Sequence, residues 1–381
     1  MAAYHQMGHD SQNLLSEDRL SAYRGAILSP VNYEVDQAAG IVEEHGSENF
    51  EMIFDPQLYY PNSARETLVR WDYFPDDVDT GDLRALAWWQ DINKSLITTV
   101  AGFRPHSVCS PAVVPRVYAE SYYCLNREVA DDLQSRIKQT GIAVLQTVLV
   151  RLEDLSNDSK VGEIASIVSG SECQRVFLAL LSDLEPRREL NETEDLKGAM
   201  RLIRFLEGSG IRTLVAFVAS DVVLWKVAGA RDCASGKFYN LRRFTPSRFG
   251  PPEEGGGGQL PYWFEESLMA YLRESDLMRV KEAGLLSSSS LGNPYALEIL
   301  EQINKRPGVA WLGLSWRQYL YWFAHFENRC NATDFNAKAL LKEADNNWKK
   351  LDELEIFMEE RANDGSWTRP WLRSIVEAFK D

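Results

Sequence analysis

Cysteine is scarce and scattered. Cys109, Cys124, Cys173, Cys233 and Cys330 form no CxxC pair, and their number is odd. That excludes a zinc ribbon or a paired disulfide framework, and free thiols fit a reducing compartment. Histidine is equally thin: His5 and His9 lie in the N-terminal segment, and His45, His106 and His325 stand alone. His106, the one after an expected strand, has no second histidine near it in sequence, which speaks against a zinc or iron triad. GxGxxG, GxxxxGK[ST] and GxSxG are all missing, so a dinucleotide fold, a P-loop ATPase and a serine-elbow hydrolase are disfavoured. No apolar run approaches the roughly 20 residues that span a bilayer. The first 25 residues, MAAYHQMGHDSQNLLSEDRLSAYRG, carry no hydrophobic signal core. The expectation is a cytoplasmic protein with no metal, cofactor or membrane partner.

Positive charge is also in deficit. Lys and Arg number 41 against 56 Asp and Glu, a formal net charge of -15 with a pI near 5.0. A field of that sign repels nucleic acid and anionic membranes as a whole, and leaves only local basic patches to hold an anion.

What the chain does have is apolar mass. Hydrophobic residues make up 45% of its 381 residues, with 11 tryptophans, enough for one large core plus an appendage. Residues 1–22 read as a flexible N-terminal tail. RGAILSPVN offers a first strand, EVDQAAGIVEEHG a helix, and FEMIFDPQLYY a second strand stopped by Pro56. DLRALAWWQDI reads as a helix and SLITTVAGF as a third strand. The prolines of SVCSPAVVP suggest an extended excursion before the helix CLNREVADDLQSRIKQTG.

From there strand and helix alternate. IAVLQTVLV, RVFLALL, IRTLVAFVA and ARDCAS read as strands; KVGEIASIV, ETEDLKGAMRLIRFLEGSG and DVVLWKVAG read as the helices between them. Continuous apolar, β-branched runs mark strands covered on both faces. The fold class is therefore α/β, a (β/α)8 (TIM-like) barrel over residues 23–289, with an open doubly wound sheet as the alternative. The eighth strand is sought in QLPYWF or NLRRF. GPPEEGGGGQLP reads as a flexible connector, and YWFEESLMAYLRESDLMRV as an aromatic-rich helix. Residues 290–381 form a helical C-terminal module. In it Trp316, Tyr319, Trp322, Phe323 and Phe326 share one broad face, which suits core packing and, as the sharper reading, a partner surface.

In such a barrel the working residues sit at the C-terminal strand ends. That rule selects Asp55, Asp183, Glu185 and His106 as candidate catalytic residues. Asp55 follows an apolar strand directly and is held by Pro56, as a general acid or base should be. The plainer role for it is to satisfy loop amides. Asp183 and Glu185 could share acid and base work with it, or simply pair with Arg187 and Arg188. His106 is the only histidine after an expected strand.

The segment Ala230–Phe249 is rich in small and basic residues. Ser235, Gly236, Lys237, Asn240, Arg242 and Arg243 are the candidate anion-binding set, since Gly236 would let backbone N–H groups approach and guanidinium groups grip a phosphate. Phe238, Tyr239, Phe244 and Phe249 could stack a base. This corner resembles the seventh-strand corner of phosphate-binding TIM barrels, over a few residues only. The DSGGFQ segment and zinc cysteines of tRNA-guanine transglycosylases are absent, so nothing is carried over from that family.

The resulting expectation is a barrel enzyme acting on a phosphate-bearing small molecule or nucleotide by metal-independent carboxylate chemistry, as a hydrolase, lyase or glycosyl-bond-cleaving enzyme. The alternative is a non-catalytic barrel serving as a protein- or nucleic-acid-binding subunit, with an oligomer allowed in either case.

Overall fold

The structure is a computed structural model, and it describes residues 2–250 and 259–380. The glycine run of the expected connector lies outside the described residues. Eight parallel strands close into a barrel: β1 (Ala2–Gln6), β2 (Gly25–Leu28), β3 (Glu51–Phe54), β4 (Ser107–Cys109), β5 (Ala143–Arg151), β6 (Arg175–Leu181), β7 (Arg212–Ala216) and β8 (Asp232–Ser235). Strand β1 pairs with β2 through Tyr4↔Gly25 and with β8 through Tyr4↔Ala234, which closes the ring. The chain is a (β/α)8 barrel, not an open sheet.

Alternation along the strands sorts the core into two layers. Ile27, Ile53, Leu145, Leu149, Phe177, Ala179, Leu214, Ala216 and Ala234 fill the barrel interior. Val148, Val150, Val176, Leu178, Val215 and Cys233 face out against helix residues such as Ile164, Leu196 and Ile203. Both faces are apolar because both are covered.

Four expectations need correction. The supposed tail holds the missing strand: Ala2–Gln6 is β1, its residues all buried. SLITTVAGF is the end of a helix, Leu86–Phe103, and not a strand. Its buried positions Trp89, Ile92, Asn93, Leu96, Val100 and Phe103 repeat every three or four residues, and that period overrides the β-branched composition. The helix ends at Arg104, which takes a left-handed φ of 47°, and the next strand starts in the excursion, at Ser107. Lastly, YWFEESLMAYL is a hairpin of β9 (Trp263–Glu265) and β10 (Ala270–Leu272), followed by a helix over Glu274–Glu282. The Glu265 carboxylate fixes it by accepting from the backbone N–H groups of Ser267 (3.0 Å) and Ser287 (2.9 Å) and from the Trp263 indole (3.0 Å).

The C-terminal residues are helical as expected, over Ala296–Lys305, Leu312–Arg329, Ala337–Glu353 and Thr368–Glu377. The aromatic helix Leu312–Arg329 packs on β1 and β8. It covers the outer face that closure of the ring leaves open, and buries Tyr319, Trp322, Phe323 and Phe326. That face is core, so it offers no surface to a partner. Among the described residues no helix is long and apolar enough to cross a membrane.

Candidate active site at the barrel mouth

The two ends of the barrel are built differently. At the N-terminal end, Arg175 grips Glu51 with two hydrogen bonds of 2.6 and 3.0 Å, and Tyr4 and Ser107 also donate to Glu51. Glu51, Ser107 and Arg175 are the first residues of their strands and Tyr4 lies level with Gly25, the first residue of β2, at the end that reads as structural. Their donors and acceptors match one another and leave little for a ligand.

The C-terminal mouth is polar and under-satisfied. Asp55 follows β3 and is fully buried. Its carboxylate accepts from the Tyr59 hydroxyl at 2.9 Å and the Gln57 backbone N–H at 3.1 Å. Burial pushes its pKa up to about 6, against the pull of those hydrogen bonds and of the nearby Arg248 charge. Arg248 Nη2 donates to Ser29 Oγ at 2.8 Å, and Ser29 Oγ donates to Gln57 Oε1 at 2.8 Å. Gln6, at the end of β1, points into the same end of the barrel by strand alternation with Tyr4.

Several atoms in this cluster lack a hydrogen-bond partner: both side-chain amide atoms of Gln6, Gln57 Nε2 and Arg248 Nε. Each such buried group costs about 1–3 kcal/mol unless water or a ligand meets it. The backbone is also strained here. Gln57 after β3, Phe217 after β7 and Asp10 after β1 take φ of 52°, 58° and 52°, although none is glycine. Such conformations cost on the order of 1–3 kcal/mol each and gather at functional sites.

An aromatic layer covers the cluster. The segment after β8 folds back over the mouth and inserts Phe244 and Phe249, which stack at 5.6 Å and meet Tyr59 edge-on at 5.3 and 5.4 Å. Phe217 meets Phe244 at 5.3 Å. All four rings are buried.

The other sequence candidates fall elsewhere. His106 precedes β4 and so lies at the opposite, N-terminal end, where its Nδ1 accepts from the Met52 backbone at 3.0 Å. The misread helix caused that error: a histidine after a strand became a histidine before one. Asp183 follows β6 but is exposed and bound to Arg151 at 3.0 Å; Glu185 is exposed beside Arg187.

The expected anion set is tied to the protein itself. Arg242 donates to the carbonyls of Gly236 and Lys237, both at 2.9 Å, and its guanidinium lies 3.5 Å from the Tyr319 ring centre. Lys237 donates to the Asp10 carbonyl at 3.1 Å, and Ser235 shares a 2.7 Å hydrogen bond with Tyr319. At Gly236 a Cβ would sit 2.5 Å from the Gln6 carbonyl, so the glycine is there for close packing. Asn240 Oδ1 is buried without a partner, and Arg243 faces Glu189.

Sequence reasoning missed Gln6 and Ser29; it reached Gln57 as a strand-end residue and Arg248 as part of the basic loop. Ser29 directly follows a strand that was correctly read, so the same strand-end rule could have reached it. Gln6 was hidden in the supposed tail. Among the described residues no group of three or more His, Cys, Asp or Glu side chains is placed to hold a metal ion.

No family model matches the chain, and no curated protein matches it. Among solved structures it is similar to an L-ribulose 3-epimerase, at 9% identity and a TM-score of 0.39, over 93% of this chain and 98% of that one. It is similar to a D-psicose 3-epimerase from Clostridium cellulolyticum H10, at 11% identity and a TM-score of 0.34, over 62% and 84% of the two chains. It is also similar to an N-acetylneuraminate lyase from Mycoplasma synoviae, at 9% identity and a TM-score of 0.34, over 92% and 97%.

Proposed function

We propose that the chain is a barrel enzyme that binds a small, oxygen-rich molecule at the C-terminal mouth and moves a proton with Asp55. The observation that carries this reading is the state of Asp55 and its surroundings: a fully buried carboxyl with a pKa near 6, beside Arg248 and unpartnered amides. A group that titrates near neutrality can serve as both acid and base. Gln6 Nε2, Gln57 Nε2 and Arg248 Nε are free donors, so the complementary ligand offers oxygen acceptors, as a hydroxy acid, a polyol or a sugar phosphate does. Of the basic residues after β8, the cationic contact is thereby Arg248 and not Arg242.

Tyr59 and the strained Gln57 would hold the carboxyl in place, and the aromatic layer would keep water out. Entry then requires Phe244 and Phe249 to move. The same layer favours a second reading, a barrel with a permanently closed mouth and no reaction there.

A thermal-shift screen with hydroxy acids, polyols and sugar phosphates separates the two, run on the wild type, Asp55→Asn and Phe249→Ala. Saturable stabilisation of the wild type by one class, lost in Asp55→Asn, supports the enzyme. No shift in the wild type or in the opened Phe249→Ala variant supports the closed barrel.

A further inference from the structure

A buried carboxylate with an unpartnered oxygen lies at the rim, outside the mouth cluster. Glu189 lies in the loop after β6, its side chain 95% buried by a relative exposure of 5%. One oxygen accepts from Ser220 Oγ at 2.5 Å; the other, Oε2, has no hydrogen-bond partner, and Arg243 Nη2 stands off at 3.9 Å. Glu189 lines a cleft of about 360 Å³ between the β6 loop, β10 and the C-terminal segment. Two more buried polar atoms without partners belong to side chains of the same cleft, the Tyr271 hydroxyl and the Trp367 indole N–H. They come from separate parts of the chain, and their convergence on one cavity is not required by the packing of any single element.

The charged groups of the cleft fall into two sets. Arg187 is engaged with Glu185 and Glu360, both at 3.5 Å. Arg188 and Arg361 are exposed and make no ion pair among the described residues. The cleft thus presents two uncommitted guanidinium groups at its edge, with the Tyr271 hydroxyl and the Trp367 indole N–H buried behind its wall.

We propose that this rim cleft is a ligand site of its own, for a small molecule carrying a carboxylate or phosphate group that Arg188 and Arg361 hold against the wall formed by Glu189, Tyr271 and Trp367. Guanidinium groups suit both anions through paired, charge-assisted hydrogen bonds. The aromatic layer of Phe244 and Phe249 lies over the mouth, so the rim cleft is a different site from the one around Asp55, and it does not depend on the reading of that site.

Glu189 gives the site a pH signature. Burial pushes its pKa up to about 7, while Arg243 and Arg242 pull it down and Asp221 pushes it further up. Glu185, Glu360, Arg187, Arg188 and Arg361 face the same cleft from the loop and from the C-terminal segment. Above neutrality Glu189 adds a negative charge close to a bound anion, so affinity falls as the pH rises through 7.

The test is titration calorimetry on the full chain with inorganic phosphate, glycerol 3-phosphate and malonate. Saturable binding of at least one probe is expected, weakened about tenfold or more in Arg188→Gln/Arg361→Gln, the loss of about two charge-assisted contacts. Both substituted residues are exposed, so the variant keeps its fold. Asp55→Asn binds the probe like the wild type. In Glu189→Gln the fall in affinity between about pH 6 and 8 disappears. No saturable heat up to about 10 mM, weaker than any specific site of this size, overturns the proposal. So does equal affinity in the double-arginine variant. Loss of probe binding in Asp55→Asn alone would place the anion in the mouth and overturn it too.

Discussion

Lys226 Nζ and Glu327 Oε1 lie 2.6 Å apart with both side chains buried. Lys226 also donates to the carbonyls of Ala230 (2.9 Å) and Arg231 (3.1 Å), so all three ammonium hydrogens have acceptors. The pair joins the short helix Val222–Ala228 to the aromatic helix Leu312–Arg329 across the outside of the barrel. Glu327→Leu leaves a buried ammonium without its counter-charge and should cost about 3–5 kcal/mol. Adding Lys226→Met should recover most of that, because a buried ion pair replaced by apolar groups is often close to neutral. Urea unfolding of the two single variants and the double variant checks this. A Glu327→Leu cost under about 1 kcal/mol would place the pair among ordinary surface contacts.

Strand β1 makes a prediction that a flexible tail would not. Removing residues 1–7 takes out the strand that joins β2 to β8 and exposes the edges of both. Open edges template aggregation. The shortened chain is expected to be insoluble or to lose its cooperative unfolding transition. A soluble product with the wild-type midpoint would mean that Ala2–Gln6 adds nothing to the barrel.

Two glycines inside helices behave oppositely. At Gly198 a Cβ would lie 1.7 Å from the Leu155 carbonyl, where the helix Thr193–Gly208 crosses the turn Leu152–Ser156. At Gly162, in the helix Asp158–Ser169, a Cβ would meet nothing within 4 Å. Gly198→Ala should therefore destabilise by about 3 kcal/mol or more through overpacking. Gly162→Ala should stabilise by about 0.5–1 kcal/mol through helix propensity. Thermal midpoints moving in opposite directions are the expected result; a shared direction would refute the helix–turn contact.

Arg175 and Glu51 test the division between the two ends of the barrel. Both are about a fifth exposed, at 19% and 20%. Arg175→Met should cost about 2–3 kcal/mol, less than for a fully buried pair because solvent reaches both groups. Any ligand found for the mouth should bind the folded variant unchanged, since the pair sits at the strand starts. Weakened binding at a temperature where the variant is fully folded would contradict that division.

The barrel was legible because β5, β6 and β7 are long apolar runs separated by amphipathic helices, a pattern fixed by burial on two faces. What stayed hidden is short or mixed in composition. In β1 the inward Gln6 and outward His5 break any apolar run, and only pairing on both sides shows AAYHQ to be a strand. The β-branched residues Ile97, Thr98, Thr99 and Val100 favour a strand locally, and tertiary burial along one helix face decides otherwise. Asp55 could be found because a strand end and a following proline mark it. Arg248 was visible only as one of the basic residues after β8, since its place beside Asp55 depends on how that segment folds back over the mouth. Glu189, Tyr271 and Trp367 converge only in space.

The pH dependence of stability examines Asp55 directly. Its pKa rises from 3.8 to about 6 on folding, mainly because burial disfavours the charged carboxylate, with Tyr59, Gln57 and Arg248 opposing. Between about pH 4 and 6 the native state therefore keeps a proton that the unfolded chain has released. Where the native state binds more protons, stability falls as the pH rises. The wild type should lose on the order of 3 kcal/mol from this group across that window, with no further change from it above about pH 6. Asp55→Asn does not titrate, so its stability relative to the parent should climb over the same interval. Glu189, raised to about 7, acts with the same sign at slightly higher pH, so the comparison belongs in a Glu189→Gln background. Urea unfolding at steps from about pH 4.5 to 7 gives the two curves. Curves that diverge with rising pH and then run parallel support a buried, near-neutral carboxyl. Curves parallel throughout would mean that Asp55 is solvated in the native protein, and the acid–base reading of the mouth would fall with it.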